Sequence, residues 1–198
     1  MIVRVTFRRT VLVVALLNLG FFAVDFVVAL TIGSVSLFAD SVDFLEDASI
    51  NLLIFAASAW SMRRQSHVGS VLAFVILVPA VATIIAAVQK ILNPVAPEIV
   101  PLSLTAAGAL AINLTCALLL VRHRNLTGSM ARAAWLSARN DALANVAIIA
   151  GAVATLWVHT GWVDIAIGIA IGLLNADAAR AVWRAARDER LGRRSARP

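Results

Sequence analysis

The chain has 198 residues, 61% of them hydrophobic, with 17 basic and 11 acidic side chains and a formal charge of +6; its mean hydropathy is +0.91. A soluble domain of this length could not bury so much apolar surface, so the composition excludes a soluble fold and requires an integral membrane protein. Nor does the positive charge indicate nucleic acid: every basic residue except Lys90 is an arginine, and most lie in short loops or the tail, as membrane topology demands.

A membrane crossing needs about 20 largely apolar residues, and six are predicted, all helical because lipid offers backbone groups no partner. The first runs from Thr10 to Ile32 behind Arg4, Arg8 and Arg9. It is read as a span and not a signal peptide, since the apolar stretch continues past Asn18 and Asp25 with no small-x-small cleavage site. After an uncharged Gly33-Ser34 turn, the second runs from Ser36 to Met62 and is followed by Arg63, Arg64 and His67. The third, Val68 to Leu92, leads into an NPVAPEIVP turn whose nearest charges are Lys90 and Glu98. The fourth, Leu102 to Val121, carries the single Cys116, so no disulfide framework or thiolate cluster is expected; Arg122, His123, Arg124 and Arg132 follow it. The fifth, Ala133 to His159, ends in a neutral TGW turn, and the sixth, Asp164 to Val182, precedes an arginine-rich tail.

Positive charge therefore recurs on every second side, which predicts cytoplasmic termini. The expected organisation is a cytoplasmic N-terminus at 1–9, a six-helix transmembrane domain at 10–182 and a basic cytoplasmic tail at 183–198. The tail reads as a topology anchor more than a lipid- or nucleic-acid-binding segment. Of the two sequons, at Asn113 and Asn125, one lies in a span and the other in a cytoplasmic loop, so neither is expected to carry glycan.

Four of the 11 acidic residues, Asp40, Asp43, Glu46 and Asp47, crowd into the second span. An ionised group at the bilayer centre costs on the order of 3 kcal/mol, so intramembrane carboxylates usually line a polar path or bind an ion. Helical geometry places Asp40, Asp43 and Asp47 within about 60° of one another, with Glu46 about 100° away from Asp47. Asp43 and Asp47, one turn apart, can converge on one hard divalent cation. Asp40, nearer the end of its span, is equally well read as structural. In the fifth span Ser137, Asp141 and Asn145 repeat along one face and supply a second row of oxygen ligands, whereas Arg139 is expected to snorkel or pair with a carboxylate. Asp25 shares a face with Asn18 in the first span, at a depth matching Asp43, and could accept a proton, guide cations or pair with another polar group. His67, His123 and His159 lie at loop edges and are read as interfacial residues, not ligands.

The run GSVSLFADSVDFLED resembles the GSLALLADALHMLSD pattern of the cation diffusion facilitator (cation efflux) family of divalent-metal/proton antiporters. The family's HxxxD metal motif falls on Asp43 and Asp47, with aspartate in the histidine position, and its second HxxxD falls on Ser137 and Asp141. GWVDIAIGIAIGLLNADAARAVW is similar to the family's sixth span, whose WADP-type start falls at Asp164. The resemblance implies an all-α, cation-efflux-type transmembrane domain, a bacterial inner-membrane location, a homodimer, and zinc as the first ion to consider. With no soluble domain after span six and no His-rich loop between spans four and five, the chain resembles a short six-span branch, in which the family's usual support for dimerisation and metal sensing is not expected.

The leading expectation is export of a divalent cation (zinc, cobalt, cadmium, manganese or iron) in exchange for protons. Asp43, Asp47 and Asp141 would bind it, with Ser137 or Asn145 as a neutral ligand and Asp25 and Asp40 along a proton or access path. Clustered carboxylates repel when all are ionised, so protons and a dication compete for them. An all-oxygen set shifts preference toward harder ions than zinc. No prosthetic group, nucleic-acid partner or enzymatic activity is expected, because no nucleophile-base pair, phosphate-cradling loop or metalloprotease motif occurs. The alternatives are a non-transporting metal sensor or accessory protein of an efflux system, and an exporter of small organic cations. One constraint is geometric: Asp47 lies about 16 Å from its span's outer end and Asp141 about 28 Å from its own, so a shared site needs tilt or a fifth helix projecting outward by roughly 12 Å.

Overall fold

The computed structural model describes residues 2–57, 81–121 and 129–174, with side chains described at 7–55, 81–121 and 140–174. The described residues form α-helices and no strand: α1 (Ile2–Ile32), α2 (Val35–Ala57), α3 (Val81–Leu92), α4 (Ile99–Val121), α5 (Ser129–Val158) and α6 (Trp162–Leu174). Arg63, Arg64, His67, His123, the start of the third span and the arginine-rich tail lie outside the described residues.

Three helical stretches, Phe7–Ile32, Ile99–Val121 and Asn140–Val158, are long and apolar enough to cross a membrane. At 23 residues α2 has the length, but its four carboxylates remove it from that set. The boundaries move outward where no breaker intervenes. Starting at Ile2 instead of Thr10, α1 carries Arg4, Arg8 and Arg9 on the helix itself, because no glycine or proline precedes the apolar run. Similarly, α4 starts at Ile99 and accommodates Pro101 in its first turn, where a missing N–H breaks no helical bond.

Polarity is inverted relative to a soluble bundle. Leu92 is 81% and Trp157 73% exposed, whereas Asn18, Asp25, Asp40, Asn145 and Asp164 are buried. Apolar side chains face outward where lipid would lie, and polar ones face each other. In the described packing α1 lies against α2 and α4, and α5 lies against α4 and, along a much shorter seam, α2. Small residues let the helices approach: Ala29, Ala39, Ala106 and Ala152 share the apolar core with Leu37, Phe38, Leu102, Ile148 and Ile171. Phe26 packs edge-on against Phe38 at 5.6 Å, tying α1 to α2, and the Arg8 guanidinium stacks over the Phe55 ring at 4.8 Å nearer the other end of the same pair.

Three turns are knit together at one end of the bundle. Gly33 makes the α1–α2 turn with φ 63°, a left-handed conformation that strains other residues. Ser34 caps α2, its Oγ accepting from the Leu37 N–H at 3.2 Å. Asp164, two residues into α6, accepts from Ser34 Oγ (2.7 Å), Ser36 Oγ (2.5 Å), Val35 N (2.8 Å), Ser36 N (3.2 Å) and Lys90 Nζ (2.8 Å). Lys90 also donates to the Gly33 carbonyl at 2.6 Å. The α5–α6 turn is fixed by Gly161 N–H donating to the Pro94 carbonyl at 2.8 Å. A Cβ at Gly168 would come within 2.8 Å of the Val35 carbonyl carbon, so α6 rests directly on the backbone of the first turn of α2.

Truncating one partner of a buried pair leaves the other uncompensated, at a cost of about 3–5 kcal/mol. Asp164→Ala strands the Lys90 ammonium and four other donors, whereas Lys90→Met leaves Asp164 four of its five hydrogen bonds. Thermal unfolding in detergent should show Asp164→Ala to be the more damaging change by several degrees; equal effects would remove Asp164 from the centre of this end.

Candidate metal-transport site

Two acidic groups occupy the interior, about one helical turn apart. In the first, Asp43 of α2 and Asp141 of α5 meet in a side-chain contact at hydrogen-bonding range. Two carboxylates attract at that range only when a proton, or a cation in its place, lies between them. Asp47 is within electrostatic reach of both, and Glu46, partly exposed, adds its charge to the same group. Asp43 and Asp47 are partly accessible, while Asp141 is buried. Among the described residues no three histidine, cysteine, aspartate or glutamate side chains converge closely enough to hold one ion, so the carboxylates form a cluster and not a closed cage.

The second group lies nearer the Gly33 end. Asp25 of α1 meets Asp40 of α2, and the Asn145 amide of α5 donates to Asp40 Oδ1 at 3.3 Å. The depth match between α1 and α2 is therefore realised one turn from where it was expected: the partner of Asp25 is Asp40, not Asp43. Asn145 also donates to the Asp141 carbonyl one turn back, at 2.9 Å, so its NH2 is committed on both sides. That holds the side chain against Asp40, away from the Asp43–Asp141 contact.

The 12 Å offset is present and accommodated. Asp40 lies five residues inside α2, yet it touches Asn145, 13 residues before the end of α5. Thus α5 continues past the first turn of α2, and the Gly161 turn brings the chain back.

Ser137 lies in α5 one turn before Asp141, and its side chain, like that of Arg139, is outside those described. His159 is exposed at the end of α5 with φ 51°, remote from both groups in sequence and fold.

Two contributors were not evident from spacing. Lys90, the lone lysine, is buried and bonded to Asp164 and not to the carboxylate cluster; a single ammonium placed near the end of an apolar span was the available signal. Cys116 of α4 is buried within electrostatic reach of Asp47 and Asp141. Its thiol donates weakly to Asn18 Oδ1 at 4.0 Å. No local pattern marks it, because its neighbours lie on other helices.

A helical membrane bundle with clustered carboxylates on facing helices is the architecture of a cation carrier, in which expensive buried charge is retained for an ion. Residues 11–189 match the cation efflux transmembrane domain, and the chain belongs to that family of divalent-cation transporters, which are not enzymes. No match was found among the curated proteins compared with it.

Crowded like charges destabilise the ion-free protein, so Asp43→Asn should raise its unfolding midpoint, with a gain in unfolding free energy of about 1–3 kcal/mol on the scale of one intramembrane charge. The same variant should lose most of the stabilisation that metal gives the unaltered protein, about 2.7 kcal/mol at 100 times Kd. Unfolding scans with chelator and with added metal check both; an unchanged ion-free midpoint together with an undiminished metal shift would show that Asp43 is not in the cluster energetically.

Proposed function

We propose that the protein exports a divalent cation from the cytoplasm in exchange for protons, through Asp43 and Asp47 of α2 and Asp141 of α5. The observation that carries this reading is the Asp43–Asp141 contact across the short α2–α5 seam. That contact requires a positive species between the carboxylates, and a dication and protons are alternative ways to supply it. Binding of the metal releases protons, and return of protons releases the metal. Ser137, on the same face as Asp141, supplies a neutral oxygen. Asn145, held against Asp40, belongs with the neighbouring group.

The packing supports alternating access. The α1–α2 pair has an extensive interface, as does the α4–α5 pair, while α2 and α5 touch along a short seam lined by carboxylates. Two stiff pairs rocking about that seam expose the same ligands to either side. Arginine placement orients both termini toward the cytoplasm in a bacterial inner membrane. Zinc remains the first ion to test by family resemblance, although the oxygen set favours harder ions. A homodimer is part of the reading by family analogy alone.

Purified protein in vesicles containing a metal-sensitive dye and a pH dye tests the proposal. Inward metal flux should be matched by acidification of the opposite compartment. Asp47→Ala and Asp141→Ala should each lower the flux at least 100-fold, and comparison of zinc, cadmium, cobalt, manganese and iron ranks the ions. Flux unchanged in both variants would discard this site; saturable binding without flux would favour a sensor or accessory role.

A further inference from the structure

The Asp25–Asp40–Asn145 group has no counterpart in the transport site just described. All three side chains are 0% exposed. Each comes from a different helix, α1, α2 and α5. Both carboxylate oxygens of Asp25, Oδ2 of Asp40 and the Asn145 carbonyl Oδ1 lack any hydrogen-bond donor. Buried polar atoms are normally satisfied, and each unsatisfied one calls for a physical cause. Here four acceptor oxygens in three touching side chains face no donor. Unpaired buried donors occur elsewhere, at Arg8 Nε and Asn18 Nδ2, and not among these three side chains. In this group the only donor, the Asn145 NH2, is already used twice, and what is left is oxygen alone.

Lys90, the only buried ammonium among the described residues, is held at the Gly33 end by Asp164 and the Gly33 carbonyl. Among the described residues, therefore, no basic side chain neutralises Asp25 and Asp40. Two carboxylates and an amide carbonyl form a ligand set for a hard divalent cation, with net charge enough to balance it.

The geometry points to a second cation site, formed by Asp25, Asp40 and Asn145, that receives the divalent ion one helical turn from the Asp43–Asp141 contact, toward the Gly33 end. Its place in transit rests on the reading of Asp43, Asp47 and Asp141 as the transport site; its ability to bind an ion does not. Asp40 precedes Asp43 by three positions along α2 and Asn145 follows Asp141 by four along α5, so the sites are about 4.5–6 Å apart. Two dications that close repel, and an ion arriving at the first site weakens the hold of the second. Multi-site binding of this kind reconciles tight capture with release.

Manganese binding to the whole chain in lipid nanodiscs tests the assignment, read by electron paramagnetic resonance of free and bound Mn2+. The unaltered protein should bind two ions per chain, the second broadening the signal of the first by dipolar coupling. Asp25→Asn should bind one, or the second at least tenfold more weakly, and Asn145→Ala should do the same should the first variant fold poorly. The double variant Asp43→Asn/Asp141→Asn should keep one ion, bound through Asp25 and Asp40. One ion per chain in the unaltered protein overturns the second site whatever the variants do, as do two ions retained in both Asp25→Asn and Asn145→Ala. Loss of both ions in the double variant would show that the second site has no independent existence. Absence of flux with two ions bound would defeat the transport reading while leaving this site standing.

Discussion

The height of the acidic side chains along α2 depends on the carboxylate of Asp164. It accepts five hydrogen bonds, four from the first residues of α2 and its cap and one from Lys90, and so fixes where α2 begins relative to α6 and α3. A helix is stiff enough that fixing its first turn fixes the height of residues farther along. With Val35 and Ser36 held, Asp40 and Asp43 fall at set depths about 4.5 Å apart. Gly33, bonded through its carbonyl to Lys90, sets the return of α1 and with it the height of Asp25. A charge network at one end thus aligns carboxylates from α1 and α2, and the Gly161–Pro94 bond does the same for the turn that ends α5.

The remainder of the bundle is arranged around tolerating those carboxylates. Hydrocarbon on the outside supplies no force to drive apolar helix faces together, so association relies on close packing, which alanines in the core permit. The α1–α2 and α4–α5 pairs pack this way along their lengths. Between α2 and α5 aspartates and an asparagine meet, which cannot interlock as apolar residues do, and the contact is short. The seam weakest in packing is therefore the one with the most to gain from a bound cation. Binding energy at such a seam acts directly on the relative position of the two pairs, the coupling an alternating-access carrier needs.

Much of this was legible from residue spacing. Length and hydropathy gave the helices, and the i, i+4 pattern put Asp43 and Asp47 on one face and Ser137, Asp141 and Asn145 on another. What spacing could not supply was rotation and offset between helices. Asp25 meets Asp40 instead of Asp43 because the Gly33 turn and the Asp164 network set the relative height of α1 and α2, through Lys90, 57 positions from Gly33, and Asp164, 130 positions from Ser34. Lys90 read as a loop-end charge because its partner, Asp164, is 74 residues away. Cys116, as the single cysteine of an apolar run, only excluded a thiolate cluster, because it is the packing of α4 that brings it within electrostatic reach of Asp47 and Asp141. Helix starts shifted where no breaker was present, as at Ile2, since continuation of a helix is decided by backbone bonds and not by where hydrophobicity begins.

The separation of the lysine from the aspartates has a consequence for selectivity. Had the ammonium reached Asp43 or Asp141, it would have formed a neutral internal pair, and a dication would have needed to displace it. Instead Lys90 is spent on structure, held between a carbonyl and a carboxylate that also binds four other donors. The five carboxylates at Asp25, Asp40, Asp43, Asp47 and Asp141 remain without a described basic partner, so their neutralisation falls to species that come from outside, protons or metal. An arrangement that keeps the lysine and these aspartates apart leaves the described interior with more negative than positive charge. On the reading proposed above, a departing dication must be replaced, and protons are the replacement that needs no further basic side chain.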